Sequence, residues 1–229
     1  MCGRFVSFSS VQQLAQAFEV TDVRVESLGE RYNVAPSQDI YAILGDAESR
    51  RLGSLRWGFV PWFAKDPKRA PINARSETVA TNGMFKESFA TRRCLLPADG
   101  FWEWQTLETM TAKGKPAKQP WHLADPDGAP LALAGIFSSW RDPCQPNEAK
   151  LHTAAIVTAA AQGPMAEIHD RMPVILPPRL FSAWLDPTTD VDTLERIIQQ
   201  VGPPRLHATK VTDAVNNVRN DGPELLQPA

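Results

Sequence analysis

Proline is the residue that most constrains how this chain can fold. It occupies 20 of the 229 positions, about 9% against roughly 5% in an average protein, and it is spread along the chain instead of gathered in one linker. Proline fixes φ and has no amide N–H, so it interrupts helix interiors and central strands. The sequence therefore predicts many short elements joined by turns.

Hydrophobic spacing predicts where these elements lie. Apolar residues recur at helical spacing over residues 11–20, after a cap formed by Ser9 or Ser10, and again over residues 193–201. Short apolar runs bounded by Pro, Gly and Asp predict strands over residues 40–44, 55–60, 131–136, 153–158 and 174–176. Residues 106–119 are polar and rich in Lys, which predicts a surface loop.

Strands that follow one another without long helices between them disfavour a doubly wound parallel sheet. We expect the α+β class, with a mainly antiparallel sheet or barrel and helices outside it. Hydrophobic residues make up 43% of the chain, and a chain of this length buries enough surface to fold without a disulfide or metal staple. Residues 1–229 are expected to form one domain, with a short tail after about residue 226.

Cysteine usage and hydropathy predict the surroundings in which the chain works. Cys2, Cys94 and Cys144 are odd in number, far apart and without CxxC spacing, which disfavours disulfides and a zinc site and fits a reducing cytoplasm. Cys94 lies in an apolar run and is expected to be a buried structural thiol. No apolar run approaches the roughly 18 residues of a membrane span, so no membrane association is expected. Without a glycine-rich phosphate loop or a His–Cys cluster, the sequence predicts no metal and no cofactor.

The charge distribution is uneven. A net charge of −2 and a pI of about 6.1 argue against indiscriminate binding to nucleic acid. Residues 50–93, however, hold ten Lys and Arg against three acids. Their aromatic residues are Trp57, Phe59, Trp62, Phe63, Phe85 and Phe89. Such a mixture suits single-stranded DNA, whose phosphates meet cations while its bases stack on rings. A solvated basic face over ordinary core aromatics is the simpler interpretation.

Cys2 is the sharpest candidate for covalent chemistry. A small residue after Met1 permits removal of the methionine, which would leave an amine and a thiol on adjacent carbons. With a reference pKa of about 7.7–8.0, a usable fraction of α-amine is neutral near physiological pH and forms a Schiff base with an aldehyde. The thiol can then close on the imine carbon to give a five-membered thiazolidine. Alternatively, Cys2 is an incidental small residue.

Glu103 is a candidate acid and base. It lies between Trp102 and Trp104 in a segment predicted to be an extended strand. Because side chains alternate along a strand, the carboxylate faces either solvent or a cavity. In a cavity it would shuttle protons, whereas a solvent-facing Glu is the more common case.

His169, Asn73 and Arg75 complete the candidates drawn from residue chemistry. His169 precedes the predicted strand 174–176, where it either moves protons near neutral pH or serves only local hydrogen bonding. Asn73 and Arg75 are separated by one residue, so in an extended segment they face the same side. They either orient a ligand or satisfy backbone groups and a local acid such as Glu77.

Seven motifs, taken together and in this order, resemble the SRAP family, the SOS response-associated peptidase proteins that crosslink to abasic sites in single-stranded DNA. They are MCGRF from residue 1, RYNVAPSQ from 31, LRWGFVPW from 55, INARSETV from 72, RRCLLPADGFWEW from 92, HDRMPVIL from 169 and VNNVRNDGPEL from 215. Their ordered occurrence over nearly the whole chain is far more specific than any single motif. The resemblance implies a single α+β domain with a barrel-like antiparallel core.

The resemblance also implies catalytic roles. Cys2, exposed by removal of Met1, would be the crosslinking residue, joined to the sugar aldehyde as a thiazolidine. Asn73 looks like the amide that positions the N-terminus, and Glu103 like the acid that shuttles protons. His169 looks like the residue that helps to open the closed sugar ring.

Four further residues match positions that hold DNA in the family. Arg4, Arg75 and Arg171 match residues that contact phosphates, and Trp104 matches an aromatic wedge against the base stack. Phosphate contacts do not read sequence, so binding is expected to depend on the lesion and on salt. The sequence departs from the usual pattern after Pro61, where two aromatic residues stand in place of Ser-Trp.

The expected partner is single-stranded DNA with abasic sites, including junctions with duplex, bound by a monomer. The crosslink is expected to shield the lesion and to be reversible, with strand-cleaving lyase activity as a further expectation. Two other functions stay open. One is a cysteine-type peptidase in which the Cys2 thiolate attacks an amide with His169 as base, self-removal of Met1 being its minimal form. The other is a noncatalytic reader of modified DNA.

Overall fold

A computed structural model describes residues 2–46, 48–68, 70–145 and 147–229. Met1, whose removal the sequence predicts, lies outside the described residues. The strands are β1 Phe5–Ser7, β2 Asp22–Val23, β3 Arg31–Val34, β4 Asp39–Gly45, β5 Arg50–Trp57, β6 Asn73–Arg75, β7 Arg93–Ala98, β8 Gly100–Met110, β9 Pro116–Ala124, β10 Leu131–Trp140, β11 Leu151–Ala160, β12 Arg171–Pro173 and β13 His207–Lys210. The helices are α1 Val11–Ala17, α2 Lys86–Thr91, α3 Phe181–Leu185 and α4 Val191–Gln200. Short 3₁₀ helices span Gly163–Glu167, Pro178–Leu180, Asp213–Asn216 and Pro223–Leu226.

Five strands close into a barrel. β5, β4, β7, β10 and β11 pair in that order through antiparallel ladders, and β11 returns to β5 by a parallel pairing in which Ala154 lies opposite Trp57. β6 and β12 add to β11, and β2 adds to β5. The predicted α+β class with a mainly antiparallel, barrel-like core is confirmed, since the helices are short and few beside the strands.

A second sheet holds the beginning of the chain. Its order is β13-β9-β8-β1-β3, and β1 runs antiparallel to β8 with Phe5 opposite Phe101. The ladder extends to Arg4, whose carbonyl accepts a hydrogen bond of 3.0 Å from the Trp102 amide. This register carries the N-terminal residues along β8 toward Glu103.

The predicted surface loop over residues 106–119 is wrong. β8 continues to Met110 and β9 begins at Pro116, so this segment is the outer part of a β-hairpin whose turn contains Gly114 at φ +68°. Its backbone groups pair between the two strands, and therefore no apolar face is needed to hold the hairpin extended. The polar composition of residues 106–119 correctly indicated that most of them are exposed, but it did not indicate that they form strands.

Two predicted strands are displaced. The strand predicted over residues 55–60 is β5, which begins at Arg50 and ends at Trp57 because Gly58, at φ +134°, turns the chain away. The strand predicted over residues 174–176 lies directly after β12, which ends at Pro173. The Val174 amide still donates to the Val157 carbonyl at 2.9 Å, so the chain stays hydrogen-bonded to β11. Beyond it, Ile175 makes an isolated bridge to Leu133.

The predicted helices form with shifted ends. Ser10 caps α1, and its hydroxyl and the Gln13 side chain each bond the other's backbone amide. α1 ends at Ala17, three residues early, since Glu19 adopts φ +52°. α4 begins two residues earlier than predicted because Asp190 accepts from the Thr193 amide at 2.8 Å and acts as its cap.

Cys94 is buried inside the barrel, as predicted for a structural thiol. It lies on β7 opposite Gly135 of β10. A Cβ at position 135 would stand 2.7 Å from the Cys94 sulfur, so only glycine lets the two strands approach here. Cys144 is exposed, and all three cysteines are free thiols.

The segment 50–93 is not a uniform DNA-binding face. Four of its aromatic residues are core residues, namely Trp57, Phe59, Phe85 and Phe89. Trp62 and Phe63 remain 54% and 53% exposed, and the Trp62 indole N–H donates to Glu87 at 2.6 Å. Arg50 and Arg93 are buried and donate to backbone carbonyls. The simpler interpretation, structural residues beneath a basic surface, therefore accounts for most of this segment.

The length and hydropathy of the helices bear on membrane crossing, and the clustering of polar side chains bears on metal binding. No helix among the described residues is long and apolar enough to cross a membrane. Within the same residues, no group of three or more His, Cys, Asp and Glu side chains is placed to hold a metal ion.

Candidate functional site

An open cavity of about 450 Å³ brings together residues that are far apart in the chain. Its walls are formed by Arg4, Glu103, Trp104, Lys118, His169 and Asn216. Four of these are predicted site residues, whereas Lys118 and Asn216 were not predicted. A larger, mainly apolar cavity of about 570 Å³ lies between α1, α3 and the segment after α4, and none of the predicted site residues lines it.

Cys2 lies inside the molecule, at the start of the chain that β1 places beside β8. Its side chain is fully buried and packs in the same core cluster as Phe5 and Trp57. The Asn73 side-chain amide donates a hydrogen bond of 3.0 Å to the Cys2 carbonyl. Asn73 therefore holds the backbone of the candidate nucleophile, while its role in the reaction stays a prediction.

Burial also decides the protonation of Cys2. Removal from water raises the pKa of its thiol far above the ordinary value, and the nearby charge of Glu103 acts in the same direction. The sulfur is thus a neutral thiol at physiological pH. A group of this kind adds to an electrophile only if a neighbouring base takes its proton.

Glu103 is the acid best placed to be that base. It lies at the beginning of β8, where Phe101, Trp102 and Glu103 are all buried, so that only 2% of Glu103 is exposed, although a solvent-facing position is the commoner one for Glu. Burial raises its pKa to about 7. A carboxyl group with this pKa is present in both protonation states near neutral pH, which suits it to give and accept protons.

His169 follows the 3₁₀ helix Gly163–Glu167 and immediately precedes β12. Its Nδ1 accepts a hydrogen bond of 3.0 Å from the backbone N–H of Arg171. A neutral ring held in this way carries its proton on Nε2. Asp170 Oδ1 also lies 2.8 Å from Nδ1, a contact that would require the proton there, but Asp170 is 83% exposed and less constrained than the backbone. Burial lowers the pKa of His169, so the neutral ring dominates.

Arg171 is engaged inside the protein. Its guanidinium donates to both carboxylate oxygens of Glu77, at 2.9 Å for the Nη2–Oε2 pair, and to the Thr158 carbonyl at 2.6 Å. The hydrogen bonds from Arg171 lower the pKa of Glu77 to about 2. The Arg171 guanidinium therefore anchors the segment that orients His169. A role of Arg171 in phosphate binding stays a prediction.

Arg75 occupies a different setting. β6 is extended as predicted, with Ala74 buried on one side and the side chains of Asn73 and Arg75 leaving on the other. Arg75 is exposed, so it is available to a ligand that reaches Asn73. Its contact with phosphate is likewise a prediction.

Arg4 and Trp104 form one unit at the edge of the cavity. The Arg4 guanidinium lies 5.9 Å from the centre of the Trp104 ring and donates to Asn33 Oδ1 at 2.7 Å and to the Val215 carbonyl at 3.1 Å. The Trp104 indole N–H donates to Asn216 Oδ1 at 2.7 Å. Both side chains are thereby oriented before any ligand binds.

The motif VNNVRNDGPEL is the segment that holds this unit. The buried Asn33 amide donates to the carbonyls of Val215, Asn217 and Asn220 at 2.9–3.2 Å. In return, Asp221 accepts from the backbone N–H of Asn33 at 2.7 Å. Neither RYNVAPSQ nor VNNVRNDGPEL was assigned a role of its own from the sequence, because a clamp between residues 33 and 215–221 leaves no periodic or spacing signal.

Replacing Asn33 with Ala is expected to destabilise the protein by about 3 kcal/mol, since three backbone carbonyls and the Arg4 guanidinium lose a partner. Urea unfolding followed by tryptophan fluorescence measures the loss. Asn33→Asp, which keeps the acceptor for Arg4 but not the amide donor, should be destabilised as well. A free energy of unfolding within about 0.5 kcal/mol of the wild type for Asn33→Ala would contradict the clamp.

Several known proteins are similar to this chain over nearly its whole length. Residues 1–218 match the family model described as SOS response associated peptidase (SRAP). The chain is 37% identical to the abasic site processing protein YoqW of Bacillus subtilis (strain 168), with 99% of each chain covered. It is 34% identical to the abasic site processing protein YedK of Escherichia coli (strain K12), with 100% of each covered. A crystal structure of a protein from Bacteroides thetaiotaomicron shares the fold, with a TM-score of 0.86 at 21% identity over the whole of both chains.

Proposed function

This chain belongs to the SOS response associated peptidase (SRAP) family, and from that premise we propose that it processes abasic sites in single-stranded DNA by linking itself covalently to them. The relatives named abasic site processing proteins support the substrate class. The observation that carries the proposal is the convergence of Cys2, Asn73 and Glu103, with the Asn73 amide on the Cys2 carbonyl and the buried carboxyl beside the thiol.

The proposed reaction begins with the closed deoxyribose ring. His169, which lines the cavity with its Nε2–H as donor, assists the proton transfer that opens the ring to the aldehyde. After removal of Met1, the Cys2 amine attacks the aldehyde carbon, and the carbonyl oxygen leaves as water once it has been protonated. The product of this step is a Schiff base.

Ring closure then makes the link stable. The Cys2 sulfur adds to the imine carbon while Glu103 takes the thiol proton and delivers it to the former imine nitrogen. One C–N and one C–S bond thus replace the C=O bond, and one water is released over the two steps. Protonation of the sulfur by the same carboxyl in the reverse direction would reopen the thiazolidine. A carboxyl with a pKa of about 7 can serve in both directions, which supports a reversible crosslink that shields the lesion.

The peptidase alternative is less well supported. A cysteine protease requires a thiolate, which is favoured where cations or helix N-termini lower the thiol pKa. Burial raises the pKa of Cys2 instead, and Glu103 acts in the same direction. An amine that attacks first and a thiol that adds second fit this environment better, because neither step needs a free thiolate.

The test is a denaturing gel of the purified protein, with its N-terminus checked by mass, after incubation with single-stranded DNA that carries one abasic site. We expect a shifted band with this DNA and none with the tetrahydrofuran analogue, which lacks the aldehyde. Equal noncovalent binding to both DNAs without a shifted band would favour the noncatalytic reader. Cleaved DNA without an adduct would favour strand-cleaving lyase activity alone.

A further inference from the structure

Lys118 lines the candidate site but has no role in the reaction described above. It lies on β9, opposite Thr106 of β8, and Pro120 two residues later lies opposite Trp104. Lys118 and Trp104 are therefore diagonal neighbours on one face of the hairpin, the arrangement in which long side chains of adjacent strands reach one another. The wrongly predicted loop over residues 106–119 concealed this placement.

The charge of the cavity is not balanced by the protein itself. Over the residues that the structure describes, no carboxylate lies within ion-pair distance of Lys118, and the described hydrogen-bond acceptors of Arg4 are the neutral Asn33 side chain and the Val215 carbonyl. Glu103 is only partly ionised at neutral pH. Asp170 is exposed and contacts His169. Two cations thus face an open cavity next to a tryptophan ring.

We propose that Lys118 binds a backbone phosphate of the DNA strand, next to the nucleotide whose base stacks on Trp104. This inference rests on the proposed function, because it takes DNA as the occupant of the cavity. An ammonium group is a compact charge that contacts phosphate oxygens without demanding a fixed geometry. Together with the ring beside it, Lys118 forms the pair of cation and stacking platform that binds single strands irrespective of sequence.

The assignment sets Lys118 apart from Arg171. The Arg171 guanidinium is bonded to Glu77 and Thr158, so that a phosphate would have to compete with a carboxylate that already holds it. Lys118 is exposed and carries no such carboxylate among the described residues. A phosphate therefore gains a full charge contact at Lys118 without breaking an ion pair.

The experiment measures the affinity for single-stranded DNA containing the tetrahydrofuran analogue by fluorescence anisotropy, from about 0.05 to about 0.3 M salt. Each phosphate contact on a single strand contributes about 0.7 to the slope of log affinity against log salt. Lys118→Gln should make this slope less steep by about 0.7 and weaken binding about fourfold near 0.15 M salt. Lys118→Arg should retain the slope. Lys113→Gln, in the exposed turn of the same hairpin, should behave as the wild type.

Two results would overturn the inference. One is an unchanged salt slope in Lys118→Gln, provided that circular dichroism shows a folded protein. The other is an adduct of the Cys2→Ala protein with abasic DNA that borohydride traps and that Lys118→Gln removes, because Lys118 would then be an amine nucleophile. If the wild type formed no covalent adduct while Lys118→Gln still lowered the slope, the phosphate contact would stand and the proposed crosslinking function would fail.

Discussion

Replacing Cys2 with Ala should abolish the adduct that survives denaturation, a loss of at least about a hundredfold on the gel. The variant keeps an N-terminal amine, so it can still form a Schiff base with the aldehyde. Without the thiol it cannot close the ring, and an open imine hydrolyses when the protein is denatured. The measurement is the fraction of abasic DNA shifted on a denaturing gel, compared with the wild type at equal concentration.

Three controls separate lost chemistry from lost binding. Cys2→Ala should bind the tetrahydrofuran analogue within about twofold of the wild type, because no phosphate contact is removed. Borohydride should recover part of its adduct by reducing the imine, provided that mass analysis shows Met1 removed. Cys2→Ser, which has a weaker nucleophile at the same place, should resemble Cys2→Ala. A denaturation-resistant adduct of Cys2→Ala without borohydride would contradict the assignment of Cys2.

Replacing Glu103 with Gln should slow adduct formation by about a hundredfold or more, the usual range for loss of a general acid or base. The amide keeps the shape of the buried side chain but cannot accept the thiol proton. Initial rates on abasic DNA measure the effect between about pH 5.5 and 8.5. The wild type should show an inflection near pH 7, because burial raises the pKa of Glu103 to about 7, and Glu103→Gln should lack it.

The stability of the two proteins gives an independent readout. The folded-state pKa of Glu103 lies above the ordinary value of 4.5. Protonation of Glu103 therefore stabilises the folded state, fully below about pH 4.5, and this stabilisation is lost as the pH rises through about 7. Relative to Glu103→Gln, the wild type should therefore lose about 3 kcal/mol between these limits. Urea unfolding at about pH 5 and about pH 8 measures the difference.

Glu108→Gln is the matched control for Glu103→Gln. Glu108 lies on the same strand and is exposed, so its replacement should change neither the rate nor its pH profile. Binding of the tetrahydrofuran analogue should be nearly intact in both variants. A parallel loss of binding and rate in Glu103→Gln would instead assign Glu103 a structural role.

The sequence determined the features that depend on local chemistry. Dispersed prolines, capped periodic segments and short apolar runs predicted the α+β class, both longer helices and most barrel strands. The motif residues Cys2, Asn73 and Glu103 were predicted as candidates for one site, and the structure brings them together. What failed locally was the hairpin over residues 106–119, because backbone pairing between β8 and β9 needs no apolar pattern.

Only the tertiary structure decided what each side chain can do. Glu103 is buried because other parts of the fold cover both faces of β8 at its beginning, and burial there gives it a pKa of about 7. Hydrogen bonds join Asn33 to residues 215–221, and an ion pair joins Arg171 to Glu77, although these groups are distant in the chain. Strand pairing places Lys118 diagonally across from Trp104. The physical reason is that charge, solvation and hydrogen-bond partners are set by groups close in space, whereas spacing along the chain reports only its local conformation.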